Sequence, residues 1–212
     1  KRVVLPSSFT GGDRYMHQQY LDSIGFYQRF SHPHLFITMT CNPYWPEIQD
    51  YLEPGQTALD RPDLVSRVFN LKKRQLIKDL GTEMIFGMLL ARTHSIEFQK
   101  RGFPHAHIII WLKRQEHQSY NLTTEEIDQI ICAEIPNEYL KQKLDEPLKE
   151  NPLFKPVTEF MMHGPCDPTY SCMSNGDGYC RYGFPKDYQS ITELSEDAYP
   201  LYRRRSPEQG GN

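Results

Sequence analysis

His105-Ala106-His107-Ile108-Ile109-Ile110-Trp111 reads as a β-strand carrying two histidines one residue apart. The isoleucine run favours extended backbone, because branched side chains suit a pleated, half-buried surface. Side chains alternate along a strand, so the two imidazoles share one face. Residues 95–99 read as a second short strand, with Lys100-Arg101-Gly102-Phe103-Pro104 as the hairpin loop. If Gln99 faces His105, then Glu97 faces His107 directly and His105 diagonally. Opposed residues on one face have Cβ atoms ~5 Å apart and diagonal ones ~7–8 Å. Glu97, His105 and His107 can therefore converge on one divalent cation. Ile96, Phe98, Ala106, Ile108 and Ile110 would form the opposite, core face. Without Glu97, the pattern describes only a half-buried strand with two alternating histidines.

Outward from this hairpin, Met16, Tyr20, Ile24 and Tyr27 have helical spacing, and the pattern ends before Ser31-His32-Pro33. Leu35-Phe36-Ile37-Thr38-Met39-Thr40-Cys41 reads as a buried central strand. Asp60 and Pro62 open a helix whose apolar stripe is Leu64, Val65, Val68, Phe69, Leu76 and Leu80, with Gly81 at its end. Residues 85–93 read as a strand running into the hairpin. Thr123-Thr124-Glu125-Glu126 is a capping box before Ile127, Ile130 and Ile131. Residues 152–162 suggest one more short helix. These elements predict an α+β fold: an antiparallel sheet of about five strands with helices packed on it, plus a Cys-rich loop appendage. The expected division is a core over 1–160 and a Cys-rich segment with a tail over 161–212.

The 212 residues carry 24 basic and 27 acidic side chains, a net charge of −3, so no overall basic excess marks a nucleic-acid binder. The basic residues are instead clustered, at Lys72-Lys73-Arg74, Lys100-Arg101, Lys113-Arg114 and Arg203-Arg204-Arg205. Taken singly, such clusters are ordinary solvated faces; Lys100-Arg101 stands apart because it lies in the turn beside the histidines. No apolar run reaches the ~18 residues of a membrane span, and no secretory signal is visible. Five cysteines, an odd number, argue for a reducing compartment rather than a closed disulfide framework.

Four potential metal ligands, His163, Cys166, Cys172 and Cys180, fall within eighteen residues rich in turn formers. Tetrahedral zinc accepts three thiolates and one imidazole. The spacing is looser than a Cys-x-x-Cys knuckle, so free thiols in a surface loop remain the alternative. A zinc here would be structural, since so little apolar content needs another source of order. Cys41 and Cys132, in apolar contexts, are expected in the core.

Several stretches together resemble the Rep-like N-terminal domain of Helitron transposases, a branch of the HUH endonucleases. They begin with Leu5-Pro6-Ser7-Ser8-Phe9-Thr10-Gly11-Gly12, Leu35-Phe36-Ile37-Thr38-Met39-Thr40-Cys41-Asn42-Pro43, Gly55-Gln56 and Arg61-Pro62-Asp63. The most specific runs from Ile96-Glu97-Phe98-Gln99 through Lys100-Arg101-Gly102-Phe103-Pro104 to His105-Ala106-His107. Ala133-Glu134-Ile135-Pro136, Met162-His163-Gly164-Pro165-Cys166 and Tyr199-Pro200-Leu201-Tyr202-Arg203-Arg204-Arg205 complete the set. The resemblance implies an enzyme of a eukaryotic transposon, acting in the nucleus, that nicks and rejoins single-stranded DNA during rolling-circle transposition. It makes His105 and His107 ligands of a divalent metal, Mg or Mn, with Glu97 as the third. Thr38 and Thr40 lie in the strand that matches the family's first Rep motif.

In such enzymes a tyrosine hydroxyl attacks a backbone phosphate, leaving a 5′-phosphotyrosyl link and a free 3′-hydroxyl. The family nucleophile sits in a helix downstream of the cysteine-rich segment, typically one of a pair four apart. Here Tyr179/Tyr182 and Tyr199/Tyr202 are three apart, so the nucleophilic tyrosine is not found in this chain and is expected beyond it. A phosphate-binding Gly-x-x-x-x-Gly-Lys motif is also missing, so the helicase would be a separate domain of the full-length protein. Single-stranded DNA needs basic contacts and stacking surfaces. Lys100, Arg101, Lys113 and Arg114 are the basic candidates. Trp45 and Phe103 are the leading platforms, ahead of Tyr15, Phe26, Tyr27 and Tyr44. Two other functions fit the residues: a DNA-binding module without catalysis, and a metal oxygenase using two histidines and one carboxylate. The second would require a mostly β fold and a further histidine on a strand, whereas His117 follows a basic loop.

Overall fold

The computed structural model describes residues 4–98, 102–115, 121–140, 149–164, 166–173, 176, 178–194 and 200–211. Within it the chain divides into two compact units, residues 1–121 and 122–212. The division expected from the sequence falls later, at 160/161.

The first unit is built on a three-stranded antiparallel sheet. Its strands are β1 (Leu35–Thr40), β2 (Leu89–Phe98) and β3 (Pro104–Leu112), in the order β1-β3-β2. The histidine strand is therefore the central one. β1, expected to be central and buried, is an edge strand whose burial alternates. Its partner β3 already supplies the ladder on one side, and half of its side chains face away from the core.

β3 buries Ala106, Ile108 and Ile110 completely on one face. The helix α3 (Pro62–Gly81) lies against this face. Its Val65, Val68 and Phe69 join Ala106, Cys41, Ala58 and Ile48 of the short helix α2 (Pro46–Gln49) in one apolar cluster. Pro62 occupies the first turn of α3, where its missing N–H costs nothing, and Asp63 favours the positive helix end. Ile96 and Phe98 lie on the same side of the sheet but are 43% and 64% exposed. This corrects their assignment to the core: they sit on the outer strand, at the side of β3 away from β1.

On the other face, α1 (Asp13–Phe30) covers the far end of β3. Phe26 and Phe30 lie against the Trp111 ring, with centroids 6.1 and 6.5 Å away. The buried Trp111 indole donates to Ser31 O at 3.0 Å. The near end of that face, at His105 and His107, stays half-exposed.

The second unit opens with α4 (Thr124–Ile130), whose capping box forms as expected. The Thr123 hydroxyl accepts from Glu126 N, and the Glu126 carboxylate accepts from Thr123 N. A short helix, α5 (Phe154–Pro156), passes into a π-helical turn, Val157–Met161. A two-stranded ribbon, β4 (Glu193–Leu194) with β5 (Pro200–Leu201), follows. Among the described residues the expected five-stranded sheet is thus a three-stranded sheet and a separate two-stranded ribbon. No helix among them is long and apolar enough to cross a membrane.

Two polar knots organise this unit. Thr192 is fully buried; its hydroxyl donates to Asp128 and accepts from Arg203 N. Glu134 accepts from the Arg203 and Arg205 guanidinium groups at 2.7–3.2 Å. Arg205 beside it, and then Arg203, hold the Glu134 carboxyl below its ordinary value against the opposing effect of burial. Arg204 lies over the Tyr188 ring. The arginine triplet is therefore part of the fold. Cys132, expected in the core, is exposed, whereas Cys41 is buried, which pushes its thiol up to about 11.

Candidate functional site

The hairpin carries the first cluster. Phe98 pairs with Pro104, whereas the sequence predicts Gln99 opposite His105. Gly102, at φ +80°, supplies the left-handed turn residue. Pro104 begins the strand, where a missing N–H is tolerated. As a result the register differs by two residues from the expected one: Glu97 is opposite His105, and Ser95 is opposite His107. A two-residue slip preserves which face each side chain takes. Glu97 still meets the histidines, its Oε2 3.9 Å from His107 Nε2.

The neighbouring strand completes the arrangement. In the β1–β3 ladder Thr38 is opposite His107 and Thr40 opposite His105. Their hydroxyls lie 3.3 and 2.8 Å from the respective Nδ1 atoms. The two imidazoles pack edge to face, centroids 4.5 Å apart. With Nδ1–H donating to a threonine oxygen, each Nε2 would carry the lone pair that a cation requires. Phe36, 63% exposed, stacks on His107 at 5.2 Å and 19°. Neither contact follows from the sequence alone, although the alternation of Phe36, Thr38 and Thr40 is visible in it. Pairing between remote strands is what gives that alternation meaning.

Lys113 and Arg114 follow the far end of β3, roughly 20 Å from His107 at ~3.4 Å per residue. Trp45 and Phe103 pack partly buried against the apolar cluster, and Lys72 Nζ lies 4.9 Å from the Trp45 ring centroid. Tyr44 is 78% exposed. Lys100, Arg101 and His117 lie outside the described residues.

The second cluster is in the second unit. One donor atom each from His163, Cys166, Cys172 and Cys180 lies within 4.8 Å of the others, a set that could hold a metal ion such as zinc. His163 Nε2 is 3.2 Å from Cys180 Sγ. The His163 ring is stacked on Phe184 at 4.1 Å, with Tyr182 against its edge. Burial opposes ionisation of Cys180, but backbone N–H groups of Phe184 and Tyr182, with His163 and Cys166, bring its thiol down to about 6. Burial and the neighbouring thiols push Cys166 up to about 11. A cavity of about 460 Å³ adjoins the cluster, lined by Ile135, Val157, Met161 and Phe184 among others.

The family described as the Helitron helicase-like domain at N-terminus matches residues 1–110. The chain belongs to this family. The match spans α1, β1, α3, the hairpin and both histidines of β3, so the first cluster lies inside the Helitron-like segment. No curated protein matches the chain.

Proposed function

We propose that this Helitron-type domain is a metal-dependent enzyme that nicks and rejoins single-stranded DNA in rolling-circle transposition. The observation that carries the reading is the joint geometry of three strands. Two imidazoles share a half-exposed face, each Nδ1 meets a threonine hydroxyl from β1, and the Glu97 carboxylate reaches His107. Two histidines and a carboxylate form a suitable donor set for Mn²⁺, or for Mg²⁺ where that ion is abundant. Glu97, His105 and His107 are the residues that would hold it. When bound, such a cation supplies Lewis acidity to a non-bridging phosphate oxygen and orients the phosphate.

The protein's own residues do the positioning. Thr38 and Thr40 hold the imidazoles, and the completely buried Ala106 and Ile108 fix the strand from behind. Preorganisation of this kind lets a site act without rearranging when charge develops. Lys100 and Arg101, four and three residues before Pro104 in sequence, would supply positive charge to neutralise flanking phosphates. The family resemblance gives the nucleophile to a tyrosine downstream of the Cys-rich segment, and no tyrosine described above is assigned that role. The same reading makes a helicase domain the partner in the full-length protein and the nucleus the site of action.

A labelled single-stranded oligonucleotide, followed by fluorescence anisotropy with and without Mn²⁺, tests the proposal. Mn²⁺ is expected to tighten binding at least about tenfold, and His107→Ala to remove that gain. Binding that ignores Mn²⁺ in the native chain would favour the DNA-binding module without catalysis.

A further inference from the structure

We propose that His163, Cys166, Cys172 and Cys180 bind one structural Zn²⁺ ion that orders the Cys-rich part of the second unit. The proposal is independent of the nuclease reading, because it concerns other residues in another unit.

Burial gives the first argument. Among the described residues between 163 and 184, the buried side chains are Cys172 and Cys180. Regular structure there is limited to the 3₁₀ turn Ser171–Met173. A segment this poor in apolar contacts has its interior centred on sulfur. In a chain without a closed disulfide framework, a metal is the cross-link that explains this.

The donor geometry gives the second argument. Four protein donors, one imidazole and three thiols, match a closed tetrahedral site. Zn–S near ~2.3 Å and Zn–N near ~2.0 Å require donor separations of roughly 3.5–3.8 Å. The four donors already lie within 4.8 Å of one another, and His163 Nε2 is 3.2 Å from Cys180 Sγ. Closure around an ion needs only small adjustments.

The surroundings give the third. After Cys180 the chain turns back, with the Gly183 N–H donating to Cys180 O at 2.8 Å. Gly183, at φ +65°, permits that turn. A Cβ there would also lie 3.3 Å from Lys186 Nζ. Phe184 stacks on the His163 ring and fixes its plane. Such outer contacts orient ligands. With four protein ligands no coordination position remains for substrate, so the ion would be structural.

The test uses the whole 212-residue chain purified without chelators. Elemental analysis is expected to find about one zinc per chain. Replacement by Co²⁺ should give the intense visible bands of tetrahedral thiolate coordination. Cys172→Ser and Cys180→Ser should lose the metal; Cys132→Ser and His107→Ala should keep it. A native chain without zinc, or with no thiolate–cobalt bands, would overturn the proposal even if the serine variants fail to fold. So would zinc content unchanged by both serine substitutions.

Discussion

Thr40 shows how much of the site rests on single atoms. Its hydroxyl lies 2.8 Å from His105 Nδ1, a contact made across 65 residues of sequence. The His-x-His spacing alone puts both rings on one face; the threonines turn that shared face into fixed ring orientations. Glu134 plays the comparable role in the second unit, accepting from two arginines while almost buried. Its carboxyl is held below the ordinary value, chiefly by Arg205. A lowered carboxyl pKa contributes stability that is present above the unfolded-state value, near ~4.3 for glutamate, and is lost as pH falls through the folded value. Glu134→Gln is therefore expected to cost about 1.5–3 kcal/mol near neutral pH, with the difference shrinking below about pH 4. Thermal melts of both proteins across that range check this. A difference that stays constant with pH would remove the ion pairs from the account.

At the scale of elements, periodicity and capping were legible where they act locally. The spacing of Met16, Tyr20, Ile24 and Tyr27 marked α1, and Pro62 and Gly81 bracketed α3 correctly. Thr123 and Glu126 marked the start of α4. Pairing partners were not legible. Leu35–Thr40 looks like an interior strand from its composition, yet strand order depends on contacts with residues seventy positions away. The hairpin register was two residues off because it depends on which residue closes the loop. The consequence for stability is specific. Ile108 is completely buried in the central strand, so Ile108→Ala is expected to cost about 2–5 kcal/mol. Phe98, 64% exposed on the outer strand, should tolerate Phe98→Ala within about 1 kcal/mol. Urea denaturation separates the two; equal losses would contradict this assignment of the core.

Across the whole molecule, chemistry is distributed between two units with different logic. The first presents two imidazoles and a carboxylate on a sheet face. The second gathers soft sulfur donors where an apolar core is thin. Both donor sets were visible in the sequence as clusters of metal-binding residue types. The structural use of the arginine triplet was not, because its partner Glu134 lies about seventy residues earlier. With a net charge of −3, the proposed binding of DNA would rest on local features around the sheet face rather than on the total charge. The most direct test is a calorimetric titration of the full chain with Mn²⁺, its zinc content held fixed. One site is expected, weakened about a hundredfold or more in His105→Ala and His107→Ala. Identical isotherms for the native chain and both variants would contradict a cation held by Glu97, His105 and His107.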